Sequence, residues 1–188
     1  CFGWEMPILA VHILLINLAT DSLPAVALGV DPADSNIMKQ KPVRSGTLFE
    51  RGMIYRIILH GLFISAAALA AYFIGMNIYH NHDQSMTMTF IVLSVSQLSH
   101  ALNQRSNYDS IFKPGQGHNK TLWWALLASA AIIALVQFVP PLQHLFSLDS
   151  INWSEWLICI ALALFPLVAV EISKIFMRLY RKRKNARK

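Results

Sequence analysis

Residues 12–29 read HILLINLATDSLPAVALG. The apolar character extends over about residues 7–30, enough for the roughly 20-residue helix that crosses the hydrocarbon core of a bilayer. Asp21 nevertheless lies well inside the run, where a carboxylate costs about 2.5–3.5 kcal/mol unless it faces a partner or a cavity. Asn17 precedes it by four residues and Thr20 by one, so a helix sets the amide oxygen and the carboxylate on one face with the hydroxyl alongside. Pro24 has no N–H to give the carbonyl of Thr20, four residues back, and its ring crowds that carbonyl. Two readings follow. In the first, the helix is broken around a half-buried cation site, where side-chain oxygens and a released carbonyl suit a hard ion such as Ca2+. In the second, the proline only kinks the helix and Asp21 hydrogen-bonds to a neighbouring span.

Four further apolar runs follow, at about residues 52–77, 86–104, 121–140 and 154–177, separated by Pro, Gly, Asn, Asp and basic residues. The expectation is an all-α, polytopic membrane protein: a five-helix transmembrane bundle forming one domain over residues 1–188, with a basic tail at 178–188. Composition agrees. The chain has 188 residues, 55% hydrophobic and only 14% charged, with a mean hydropathy of +0.43, against about 25% charged in soluble domains. Five spans leave no room for a large extramembrane domain. The two cysteines, Cys1 and Cys159, offer no disulfide framework. Glu5 stands where a signal peptide would carry positive charge, and the chain reads as a piece of something longer.

All 16 Lys and Arg residues fall in or beside the 31–51 connection, the 105–120 connection or the C-terminal tail. Cytoplasmic loops accumulate such residues, so these segments face the cytoplasm and residue 1 faces outward. The tract YHNHDQS (79–85) reads as a short outer turn, and PPLQHLFSLDSIN (140–152) closes the fourth span with two prolines. The net charge of +6 is explained by a basic tail against anionic headgroups, and nucleic acid is not a partner. Trp4, Trp123, Trp124, Trp153 and Trp156 lie at span ends as interfacial anchors.

The third run contributes VLSVSQLSHALNQ (92–104), where Gln97 and His100 are three apart and share a face. Hydrogen bonding between helices accounts for such residues, and contact of Gln97 with an ion or its waters is the sharper reading. His12 and His60 read as neutral packing histidines. Glu171 with Lys174 at i+3 reads as a helix-surface ion pair, and Pro166 as a kink in the last span. No Cys/His cluster has metal-ligand spacing, which excludes zinc and iron centres as readings.

The stretch NLATDSLPAVALGVDPADSNIMKQKP (17–42) resembles the sixth transmembrane helix and following loop of P-type cation pumps of the calcium-ATPase type, and SVSQLSHALN fits the eighth-helix position. The resemblance covers essentially the whole chain and makes it helices six to ten of a ten-helix membrane domain, with a cytoplasmic C-terminus as the basic residues require. It implies a pump that couples ATP hydrolysis to ion export through a phosphorylated aspartate, in the bacterial inner membrane, with ion ligands at Asn17, Thr20 and Asp21. Monovalent-cation relatives carry a second carboxylate at the Asn17 position, so asparagine favours Ca2+ as the transported ion. Two-site calcium pumps have glutamate at the Gln97 position, and a neutral amide there implies one Ca2+ per cycle, with proton countertransport. The D-K-T-G-T phosphorylation motif and the cytoplasmic domains that bind Mg2+ and ATP are not in these residues, so they carry no catalytic residues and the enzyme is the full-length parent. The partners implied are membrane lipids and the parent's remaining helices and cytoplasmic domains. Two rivals stay open: an ion-coupled secondary transporter or exchanger, which also uses broken helices, and a membrane scaffold whose polar groups only pack helices.

Overall fold

The computed structural model describes residues 6–30, 53–104 and 119–186, with side chains to Ile175. Six helices follow one another: α1 (Ala10–Gly29), α2 (Met53–Tyr79), α3 (His82–Gln104), α4 (Lys120–Phe138), the short α5 (Pro140–Leu145) and α6 (Trp153–Ala186). The 31–51 connection and nearly all of 105–120 lie outside the described residues, as do the side chains of the basic tail.

Helix α3 is the hub. It packs against α2 and α6 on one side and against α1 and α4 on the other, while α1 also lies along α4. Among the described residues four segments are long and apolar enough to cross a membrane: α1, α2, α4 and Trp153–Ile175 of α6. The third sequence run, 86–104, lies in α3, which is not among them. Its hydroxyl and amide residues lower its hydropathy, and it tolerates them because its neighbours are helices rather than lipid. The core runs along it, with Met88, Phe90, Ile91 and Val92 meeting Ile16, Ala67, Ala71, Ile133 and Cys159.

Local chemistry fixes the helix ends. His12 takes the place of the glutamate in a capping box: Leu9 N–H donates to its Nδ1 (3.3 Å) and its Nε2 pairs with the Phe146 carbonyl (2.6 Å). The ring therefore accepts at one nitrogen and donates at the other, the neutral packing histidine expected. Asn81 Oδ1 accepts from Asp83 N–H (2.9 Å), so α3 starts at His82, inside the tract expected to be a turn, and only His80 and Asn81 connect it to α2. Asn119 accepts from Leu122 N–H (2.9 Å) and donates from Nδ2 to the Ala27 carbonyl (2.9 Å), tying the start of α4 to the end of α1. The double proline does not simply stop α4. Pro140 occupies the first turn of α5, where a missing N–H does no harm.

Small residues set the closest approach. Ala67, Ala71 and Gly75 recur every fourth residue on α2 and are buried. A Cβ on Gly75 would stand 2.5 Å from Ser85 Oγ and 2.7 Å from Ser85 Cα, so only glycine fits the start of α3 there. Helix α6 runs unbroken through Pro166 for 34 residues. The Glu171–Lys174 pair is present at 3.1 Å but is not a surface pair. Lys174 is 3% exposed and also donates to Asn103 O (3.1 Å) and Oδ1 (3.3 Å), because α6 lays this face against α3.

Candidate cation site

The proline-containing helix bends the rules without breaking. Residues Ala10–Ile16 and Ser22–Gly29 are α-helical, and between them Asn17–Asp21 form one π-helical turn. The Asn17 carbonyl receives the Ser22 N–H five residues on, and Ser22 Oγ also donates to it (2.8 Å). A π turn widens the helix by one residue and accommodates an interruption in the ladder while keeping the chain helical. The five residues in that turn, NLATD, hold all three positions singled out in the first span.

The turn aims its residues unequally. Thr20 is 2% exposed, and its Oγ1 donates to the Ile16 carbonyl (2.7 Å) and lies 2.8 Å from Gln97 Oε1 on α3. One hydroxyl proton serves one acceptor at a time. With the Gln97 amide turned over, its NH2 donates to Thr20 Oγ1 while Thr20 keeps its bond to Ile16. Thr20 and Asp21 line a cleft of about 610 Å³ with Pro24, Gln97, His100 and Gln104. Asp21 is exposed into that space, and so its carboxylate, the one that lines the cleft among the described residues, a threonine hydroxyl and a glutamine amide converge between α1 and α3. Asn17 shares the turn but is exposed and does not line the cleft.

Ser129 of α4 donates to the Ala19 carbonyl at 2.5 Å, and with the Asn119–Ala27 bond it braces α1 from behind. Sequence reasoning passed over both residues. Isolated hydroxyl and amide groups in or beside an apolar helix were the available signal, since at membrane depth each must find a partner.

Gln97 and His100 share the cleft as their spacing suggests. His100 accepts from Gln104 Nε2 (3.0 Å), and its ring meets that of His60 edge to face at 5.0 Å. The oxygen-bearing side chains that line the cleft, Thr20, Asp21, Gln97 and Gln104, offer at most five oxygens, whereas Ca2+ takes six to eight oxygen ligands. Among the described residues no group of three or more His, Cys, Asp and Glu could hold a metal. Among the described residues the cleft therefore presents a partial set of oxygens with a single formal negative charge.

Membrane helices packed around a polar hub, with a carboxylate at a widened turn of the first, make this a multi-pass membrane protein with a polar site inside the bundle. Residues 5–176 match the family described as "Cation transporting ATPase, C-terminus", and the chain belongs to that family. It is 34% identical over 92% of its length to "Calcium-transporting ATPase 1" of Bacillus cereus, of which it covers 21%. It is 32% identical over 86% of its length to "Calcium-transporting ATPase" of Bacillus subtilis, covering 18% of that protein. "Calcium-transporting ATPase type 2C member 1" of Bos taurus is 28% identical over 89% of the chain and covered to 18%. The chain thus spans about a fifth of the length of the curated relatives it matches.

Proposed function

We propose that the chain is the C-terminal transmembrane domain, residues 1–188, of an ATP-driven P-type pump that exports Ca2+ across the bacterial inner membrane. The observation that carries this reading is the convergence of Thr20, Asp21 and Gln97 on one cleft, in a chain whose family is that of cation-transporting ATPases. Asp21 supplies the charge, Thr20 and Gln97 supply neutral oxygens, and Asn17 reaches the ion from the same turn if helices outside this chain close over it. The π turn keeps these groups on one short arc and lets one helix hold both a ladder and a ligand set. Ca2+ is the cargo; phosphoryl transfer with Mg2+ and ATP belongs to cytoplasmic domains of the parent, which with its other helices are the partners proposed.

With Gln97 neutral, the cleft carries one carboxylate, and one Ca2+ per ATP is the stoichiometry proposed, with protons returning. Lys and Arg placement sets the Gly29, Met53, Gln104 and Lys120 helix ends on the cytoplasmic side. Asp21→Asn in the full-length parent tests the reading. Ca2+-dependent phosphorylation from ATP is expected to be lost, while phosphorylation by inorganic phosphate, which in this family runs without bound Ca2+, persists and reports an intact fold. Retained Ca2+-activated ATPase activity at parental affinity would refute it.

A further inference from the structure

The π turn of α1 leaves more carbonyls than backbone donors. The Asn17 carbonyl takes the Ser22 N–H, and the Asp21 carbonyl, at the start of the following α-helical segment, takes the Ala25 N–H. Between Asn17 and Asp21 lie the carbonyls of Leu18, Ala19 and Thr20. Between Ser22 and Ala25 lie Leu23 and Pro24, of which only Leu23 has an N–H. Three carbonyls therefore face one backbone donor.

Register decides which carbonyl goes without. In an uninterrupted α-helix the Ala19 carbonyl would take the N–H of Leu23, four residues on, and Pro24 would orphan only Thr20. In the π register the residue five on from Ala19 is Pro24 itself, which has no N–H. Ala19 is buried, and a buried carbonyl left unpaired is costly. Ser129 Oγ of α4 supplies the missing donor.

Ser129 departs from the habit of hydroxyls in this bundle. Ser85, Thr87 and Thr89 each donate to the carbonyl four residues back, as hydroxyls in helices commonly do. Ser129 is fully buried and donates across to α1 instead. Asn119 also reaches across: its Nδ2 donates to the carbonyl of Ala27, one of the last four of α1, which have no donor within the helix. Helix α4 thus meets two carbonyls that α1 cannot satisfy, and the one met by Ser129 lies in the turn that carries Thr20 and Asp21.

We propose that Ser129 is a positioning residue: by taking the Ala19 carbonyl it selects the π register over the plain α-helical one, and so turns Thr20 and Asp21 together towards the cleft. A slip from the π to the α register rotates one half of α1 against the other by about 100°, the angle of one helical residue. For its consequence on ion binding the proposal rests on the cation-site reading; the register itself does not depend on which ion is carried.

The full-length protein in detergent is compared as wild type, Ser129→Ala, Ser129→Thr, Pro24→Ala and the Pro24→Ala/Ser129→Ala double variant, by hydrogen–deuterium exchange without Ca2+ and by equilibrium Ca2+ binding. In Ser129→Ala, amide exchange across residues 18–25 should rise about fivefold and Ca2+ should bind about fivefold more weakly, the scale of one hydrogen bond, with exchange in α3 and α6 unchanged. Ser129→Thr, which keeps the hydroxyl, should restore both. In Pro24→Ala residue 24 regains an N–H, and the Ala19 carbonyl has a backbone donor in either register, so adding Ser129→Ala should change exchange in the turn by roughly twofold at most. Unchanged exchange and Ca2+ affinity in Ser129→Ala would overturn the proposal, as would an equal effect of Ser129→Ala with and without Pro24. Raised exchange at wild-type Ca2+ affinity would overturn the positioning role. Wild type that binds no Ca2+ would remove the cation reading alone, and the exchange measurements would still decide whether Ser129 sets the register.

Discussion

The two halves of α3 are both polar, and they use polarity in opposite ways. From Ser85 to Val92 every side chain is buried, and the hydroxyls fold back on their own helix: Ser85 Oγ to Asn81 O (2.6 Å), Thr87 Oγ1 to Asp83 O (2.9 Å) and Thr89 Oγ1 to Ser85 O (2.7 Å). Only Thr87 also accepts from outside, from Asp149 N–H (2.9 Å). From Leu93 to Gln104 most side chains are half-buried, and Gln97, Asn103 and His100 reach across to α1, α6 and α2 or into cavities. A hydroxyl satisfied by its own i−4 carbonyl is part of the packing. A polar group at membrane depth that leaves its helix to meet a cleft is free to serve a ligand as well as a neighbouring helix.

That contrast can be broken at its strongest point, the Gly75–Ser85 contact. Gly75→Ala would force Cβ into the backbone of α3, and overpacking of this kind costs about 1–3 kcal/mol. A lower melting temperature in detergent with unchanged Ca2+ affinity in the surviving protein is the expected result. At the other half, Gln97→Glu adds a second negative charge to the cleft and nearly preserves shape, while removing the NH2 that donates to Thr20 Oγ1. If ligand charge sets affinity, Ca2+ should bind about tenfold tighter, roughly 1.4 kcal/mol; unchanged affinity and stoichiometry would return Gln97 to packing. The smallest effect belongs to Thr87→Val, which removes the acceptor for Asp149 N–H. It should cost about 1 kcal/mol of stability, read from thermal unfolding, and leave transport untouched.

Much of this was legible in the residues. Apolar length located the helices, and the NLATD turn was marked by a carboxylate that an apolar span has no packing use for. The spacing of Gln97 and His100 and the Glu171–Lys174 pairing also followed from helix periodicity. What escaped was decided between helices. Pro24 announces a lost hydrogen bond, but whether a helix answers with a break, a kink or a π turn depends on support from outside, here Ser129 and Asn119 of α4 holding α1 carbonyls. The low hydropathy of α3 encodes a position among helices rather than a weaker span, which hydropathy alone cannot express. Asn17 looks equivalent to Asp21 on a helical wheel, yet only Asp21 lines the cleft. His60 and Lys174, read as packing and surface residues, meet at one cavity because α2 and α6 converge on the end of α3.

Direct Ca2+ binding to the full-length protein, measured with the radioactive ion at equilibrium for wild type, Asp21→Asn and Thr87→Val, tests the central claim that the π turn and the inner half of α3 form the ion site. Wild type and Thr87→Val should each bind one Ca2+ with the same affinity. Asp21→Asn should bind roughly 100-fold more weakly or not at all, because the site loses its one full negative charge and ligand charge sets Ca2+ affinity. Wild-type affinity in Asp21→Asn, or an equal loss in Thr87→Val, would contradict the account and leave Asp21 as a residue of helix packing.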